Sequence, residues 1–214
     1  MAEYEGKPTV SYGIVFENYS NLTVDTSGVV IRIFDEQGDP LEFGSGPRRL
    51  RSKLERTLYS LRPGERYGFG MTAYLDRFGK VPASIDVKID WTEWSKDSDE
   101  FTPPPNLKAG GLVVTRASAE TRVQFKVESP YADYRAGSHC VELVYRDKDG
   151  KIIGGMNPQY VEPGGFAPNR VTAASAEVPY VPDGTSNSRS EVYAAPGCDR
   201  AYLDNFADLR PMGP

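Results

Sequence analysis

The chain has 214 residues and a formal net charge of -5, an acidic balance that argues against a dedicated nucleic-acid binder, which presents excess Lys and Arg to phosphates. No apolar run approaches the roughly 20 residues that a helix needs to cross a bilayer. Thirteen Tyr, nine Phe, 21 Gly and 17 Pro, with almost no stripes of helical period, point to strands joined by turns, so the expected fold class is all-β.

The opening "MAEYEGKPTV" has no charged segment followed by an apolar one, so it does not read as a signal peptide, and any leader is expected to be absent from this sequence. In "SYGIVFENYSN", Tyr12, Ile14 and Phe16 alternate on one face before the turn-forming Asn18, Ser20 and Asn21. "VVIRIFDEQGDPLEFG", from Val29 to Gly44, reads as a strand with Val29, Ile31 and Ile33 inward, an acidic turn closed by glycine, and a second strand. The next stretch, "GPRRLRSKLERTLYSL", concentrates Arg48, Arg49, Arg51, Lys53 and Arg56, while Leu50, Leu54, Leu58 and Leu61 recur at helical spacing. It predicts a basic insertion at about 47–60 that is the main positive patch of an acidic molecule, formed either by a solvated loop with scattered salt bridges, the preferred reading, or by a short amphipathic helix laid on the sandwich. Such a patch is a candidate polyanion site. It also suits an anionic membrane surface, where each basic residue contributes about 1 kcal/mol.

"LRPGERYGF" places Pro-Gly at a turn, and "ASIDVKIDW" from Ala83 is the closing strand of the first half. Trp91 and Trp94 in "DWTEW" stand three apart on that strand, which predicts opposite faces, one indole in the core and one covering the junction between halves. If exposed, they would instead offer a stacking platform for a sugar. "SKDSDEFTPPPNLKAGG" is polar and proline-rich, a linker semi-rigid at its prolines.

The second half repeats the first. "RVQFKVESPYAD" alternates Val123, Phe125 and Val127, and "VELVYRDKDGKIIGG" from Val141 to Gly155 is a stronger copy of the segment at Val29. Glycine again stands three residues after an aspartate, Asp147 here and Asp35 before, where a tight turn needs positive φ. "VEPGGFAPN" and "SEVYAAP" complete the series. The predicted organisation is a first β-sandwich at 1–94, a linker at 95–110, a second β-sandwich at 111–200 and a C-terminal tail at 201–214, with like-connected halves.

The strand ending in an aromatic, the "DKDGK" turn, the later Pro-Gly and the final strand resemble the FxLYD-type immunoglobulin-like domain of bacterial and archaeal envelope proteins. Val141 to Phe166 carries the resemblance well. Val29 to Phe69 departs from it, because Asp39 and Pro40 follow Gly38 and extra residues precede Pro63. The resemblance implies two tandem immunoglobulin-like sandwiches of similar topology, outside the cytoplasm, with no catalytic residues to carry over.

Chemistry is sparse in the sequence. The one histidine, His139, adjoins Cys140, but neighbours on a strand point to opposite faces and do not form a thiol and its base. One His and two distant Cys fall short of the roughly four ligands that zinc requires. Asp147 with its turn, and the linker acids Asp97, Asp99 and Glu100, are weak calcium candidates, and a turn role for Asp147 is preferred. No nucleophile elbow or phosphate-cradling loop appears. Cys140 and Cys198 are the candidate disulfide, closing a loop of about 58 residues and stabilising the second half by roughly 4 kcal/mol in an oxidising compartment. The expected function is a non-enzymatic extracytoplasmic interaction or spacer protein, without cofactor or metal, that meets a protein or a cell-surface polymer and no nucleic acid. The alternative is a carbohydrate- or polyanion-binding β-sandwich module.

Overall fold

Residues that alternate in polarity with a period of two form strands here, and the described residues contain twelve strands and no helix. The computed structural model describes residues 2–4, 7–42, 53–74, 80–95, 107–116, 121–128, 139–161, 171–178 and 180–196. The first half comprises β1 (Ala2–Tyr4), β2 (Lys7–Glu17), β3 (Thr23–Asp35), β4 (Leu54–Leu61), β5 (Arg66–Tyr74) and β6 (Pro82–Ser95). The second comprises β7 (Lys108–Arg116), β8 (Thr121–Glu128), β9 (His139–Arg146), β10 (Ile152–Val161), β11 (Val171–Val178) and β12 (Glu191–Pro196).

These strands make four three-stranded antiparallel sheets, ordered β1-β2-β5, β4-β3-β6, β11-β8-β7 and β10-β9-β12. Adding six to each strand number of the first half reproduces the orders of the second, so strand order repeats along the chain. The turns repeat with it. Asp35 Oδ1 accepts the backbone N–H of Gln37 and Asp39, and Asp147 Oδ1 accepts those of Asp149 and Lys151. Gly38 and Gly150 close the two turns at φ 84° and 85°. The aspartates therefore serve the turn, as their spacing predicted.

The sheets of each half bury a common core. Tyr12 on β2 and Tyr67, Phe69 and Met71 on β5 meet Val29, Ile31 and Ile33 on β3 and Leu54, Leu58 and Leu61 on β4. In the second half Val123, Phe125 and Val127 on β8 meet Val141, Leu143 and Tyr145 on β9, with Met156 and Val192 beside them. Sheet β1-β2-β5 also lies against sheet β10-β9-β12, because residues of β2 and β5 that face away from the first core touch β9 and β10. The layers thus run β4-β3-β6, β1-β2-β5, β10-β9-β12, β11-β8-β7. By the repeat this is a head-to-tail order.

Two expectations are corrected here. Leu54–Leu61 is strand β4, neither a solvated loop nor part of a basic helix, and as β4 it is the counterpart of β10 and no insertion. Positions four apart share a face in a strand as well as in a helix, so the leucine spacing did not discriminate, whereas exposed Glu55 between buried Leu54 and Arg56 shows a period of two. The expected linker at 95–110 is also shorter. Ser95 still belongs to β6, Leu107 bonds to Ala194, and Lys108 begins β7.

Candidate functional site

The strongest concentration of buried polar chemistry lies where sheet β1-β2-β5 meets sheet β10-β9-β12. Glycine makes the contact possible. On β5 and β2, Gly68, Gly70 and Gly13 point away from the first core, while Gly154 and Gly155 on β10 meet them. A Cβ on Gly70 would fall 1.9 Å from Leu143 O and 2.5 Å from Met156 N, and one on Gly155 would fall 2.4 Å from Gly70 Cα. Backbone therefore lies on backbone, far inside the roughly 10 Å that separates sheets packed through side chains. Hydroxyls tie the two surfaces: Gly155 N–H donates to Ser11 Oγ at 3.0 Å, and Ser11 Oγ and Thr72 Oγ1 donate to Gly155 O at 3.0 and 2.8 Å.

At one side of this contact sits an ion pair. Arg56 on β4 crosses beside Phe69, its guanidinium carbon 4.9 Å from the ring centroid, and Nη2 donates to Glu142 Oε2 at 2.6 Å. The same oxygen accepts Gly70 N–H, on edge strand β5, at 2.9 Å. The side chains are only 2% and 5% exposed. Burial raises the Glu142 carboxyl to about 7, against the lowering pull of Arg56 and of Gly70 N–H. Tyr12 and Tyr67 stand close enough to feel both charges, and burial holds their phenols well above the ordinary range. At the rim, Glu191 on β12 bonds Arg146 at 2.8 Å and Arg66 on β5 at 3.1 Å, and the Tyr67 and Tyr193 rings lie 5.5 Å apart.

Two of the five residues of the predicted basic patch, Lys53 and Arg56, are among the described residues. Arg48, Arg49 and Arg51 lie outside the described residues. Lys53 is exposed and pairs with Glu55 at 2.6 Å, and Arg56 is turned inward to Glu142, so it serves the joint between halves and not a polyanion. A strand, unlike the predicted helix, sends alternate residues into the core, which is why Arg56 goes in. Cys140 and His139 are on β9 with side chains outside the described set, and Cys198, Asp97, Asp99 and Glu100 are outside it altogether.

The tryptophans also differ from expectation. Trp91 is 47% exposed and Trp94 50%, neither in the core. The register sets Trp94 opposite core residue Val24 and Trp91 opposite Gly28, whose face the Trp91 ring covers, so the two do stand on opposite faces, and what differs is that neither is buried. Among the described residues no group of three or more His, Cys, Asp or Glu converges as a metal site. Sequence reasoning missed Glu142, Ser11, Thr72 and the facing glycines. A usable signal was present in "YGFGM", where glycine occupies every second position of a strand and so strips one face of side chains.

Comparison with protein-family models, with curated proteins and with solved structures gives no match.

Proposed function

We propose that this chain is a non-enzymatic, extracytoplasmic interaction or spacer protein built from two tandem immunoglobulin-like β-sandwich domains held in one fixed orientation. The observation that carries the reading is the glycine-lined contact between the halves with the Arg56–Glu142 pair sealed inside it. A flexible tether between domains needs no such contact. A spacer does, because it must keep its two ends at a set distance and angle. The repeat of strand order supports the tandem-domain part of the reading, and the resemblance of Val141 to Phe166 to FxLYD-type domains supports the envelope location.

The test is a distance distribution between spin labels on the outer faces, at Lys126 on β8 and Lys88 on β6. A single narrow distribution is expected, and a broad one overturns the spacer reading. The location is tested by thiol titration of the unfolded, unreduced chain from its native host, which is expected to show Cys140 and Cys198 joined; two free thiols would count against export.

A second reading, binding of a carbohydrate, draws on one observation: both indoles of the chain are half-exposed on one strand. A glycan array run with wild type and a Trp91→Ala, Trp94→Ala variant tests it, binding lost in the variant being the result that favours it. Polyanion binding through the basic segment is weakened by the inward turn of Arg56.

A further inference from the structure

The repeated topology differs between halves at one strand. In the second half β7 runs beside β8 from Lys108, opposite Glu128, to Arg116, opposite Thr121. Just before it, Leu107 N–H donates to Ala194 O on β12 at 2.8 Å, so one stretch of chain joins both sheets. Leu107, Leu112, Val192 and Ala194 are all buried there. In the first half the counterpart of β7 is β1, only three residues long, which pairs with Lys7, Pro8 and Thr9 and no further. The edge of β2 from Val10 to Glu17, opposite to the one β5 occupies, carries no strand among the described residues.

Among the described residues the counterpart of β12 is left open as well. Setting Asp35 against Asp147 places Val29 against Val141. Ile89, opposite Val29, then stands where Ala194 stands opposite Val141. Ala194 is 1% exposed, but Ile89 is 54% exposed. Ile85, opposite core residue Ile33, and Trp94, opposite core residue Val24, are half-exposed on the same core-facing side of β6. This edge strand is 14 residues long, and its core-facing positions Ile85, Val87 and Ile89 carry no charge to deter pairing.

We propose that the slot between the edges of β2 and β6 accepts an extended segment from another polypeptide, added as one antiparallel strand beside β2 with a backbone N–H directed to the Ile89 carbonyl. The proposal rests on the reading of the chain as an interaction scaffold and names the chemistry of its partner. The second half supplies the template: β7 shows that the slot is one strand wide, which admits a peptide and not the sheet of a second copy. It also shows the pattern required, apolar residues at the places of Leu107, Ala109, Leu112 and Val114, which face the second core. Backbone pairing supplies the affinity in such strand addition and the alternate side chains its selectivity.

The probe is a synthetic peptide with the sequence of residues 107–116, LKAGGLVVTR, added to the full chain. Both tryptophans of the chain are on β6 and the peptide has none. Saturable binding is expected to shift tryptophan emission to the blue and to cut acrylamide quenching at least twofold. Ile89→Asp and, separately, Ile85→Lys are expected to weaken it at least tenfold. Both positions are exposed enough for the fold to survive, which circular dichroism checks. Val113→Asp, at an exposed position of β7, should bind as wild type does. A peptide with aspartate at the places of Leu112 and Val114 should not bind. The proposal is overturned by no saturable change at millimolar peptide, by undiminished binding to the Ile89 and Ile85 variants, or by a chain that is already dimeric with shielded tryptophans. If binding fails while the spin-label distance stays narrow, the strand slot falls and the spacer reading stands.

Discussion

Truncating Glu142 to alanine removes, in one step, the acceptor for Arg56 Nη2 and for Gly70 N–H, both on the same carboxylate oxygen. The Arg56 side chain is only 2% exposed, so its guanidinium charge is held away from water. Leaving such a charge without its partner costs about 3–5 kcal/mol, and an orphaned buried N–H adds to it. Arg56→Met is milder. The carboxyl left behind is already raised to about 7 and escapes by taking a proton, so a loss of roughly 1–3 kcal/mol is expected. The double variant Arg56→Met, Glu142→Gln removes both charges and keeps an amide oxygen for Gly70 N–H, so it should recover most of the loss. Urea unfolding at pH 7.5 measures all four proteins, with the slope of the transition checked for constancy. A Glu142→Ala loss below about 1 kcal/mol, or a double variant no better than the sum of Arg56→Met and a separately measured Glu142→Gln, would show that the pair does not hold the junction.

Three further outcomes follow from the same geometry. Glu142 in the folded chain holds its proton up to about 7, whereas the unfolded carboxyl releases it near 4.5; its contribution to stability is therefore full below that lower value and is lost as pH rises through the upper one. The stability difference between wild type and Glu142→Gln, read from melting curves, should accordingly shift toward the glutamine variant as pH rises across this window, whatever its size at low pH, and a difference that stays constant would refute the assignment. Gly70→Ala, whose methyl would meet Leu143 O and the Met156 backbone, should lie at or above the upper end of the roughly 1–3 kcal/mol seen for overpacking, read by thermal unfolding, while a loss under 1 kcal/mol would mean that the sheets can separate at little cost. Gly150→Ala meets open space but at φ 85°, so it should lose only about 1–2 kcal/mol from backbone strain, and a larger loss in the same assay would point to a contact beyond the turn.

Local signals were the legible ones. Asp35 and Asp147, each with glycine three residues on, announced their turns because a tight turn is decided by a few adjacent residues. Val123, Phe125 and Val127 announced β8 by period alone. Leu54 and Leu58 did not announce β4, since a spacing of four fits both a helix and a strand face. Glu142 was illegible for another reason. Between Val141 and Leu143 it reads as the solvent side of a half-buried strand, and only the arrival of a second sheet, from residues more than 70 positions away in sequence, makes that side an interior. For Trp91 and Trp94 the opposite faces were legible from their spacing, but their exposure was not, because it depends on what lies beside edge strand β6.

The head-to-tail order of the layers bears on assembly. A contact that joins the end of one unit to the unlike end of the next has no built-in terminus, and identical units sharing it would grow into a filament. The outer face of β8 presents Arg122, Gln124, Lys126 and Glu128 where β2 has Ser11, Gly13, Val15 and Glu17, and the outer face of β6 carries Asp86 paired with Arg32 and Lys88 paired with Asp90, side chains that work against a second joint of this kind. Replacing the long side chains of Arg122, Gln124 and Lys126 with small ones is therefore expected to promote head-to-tail fibres.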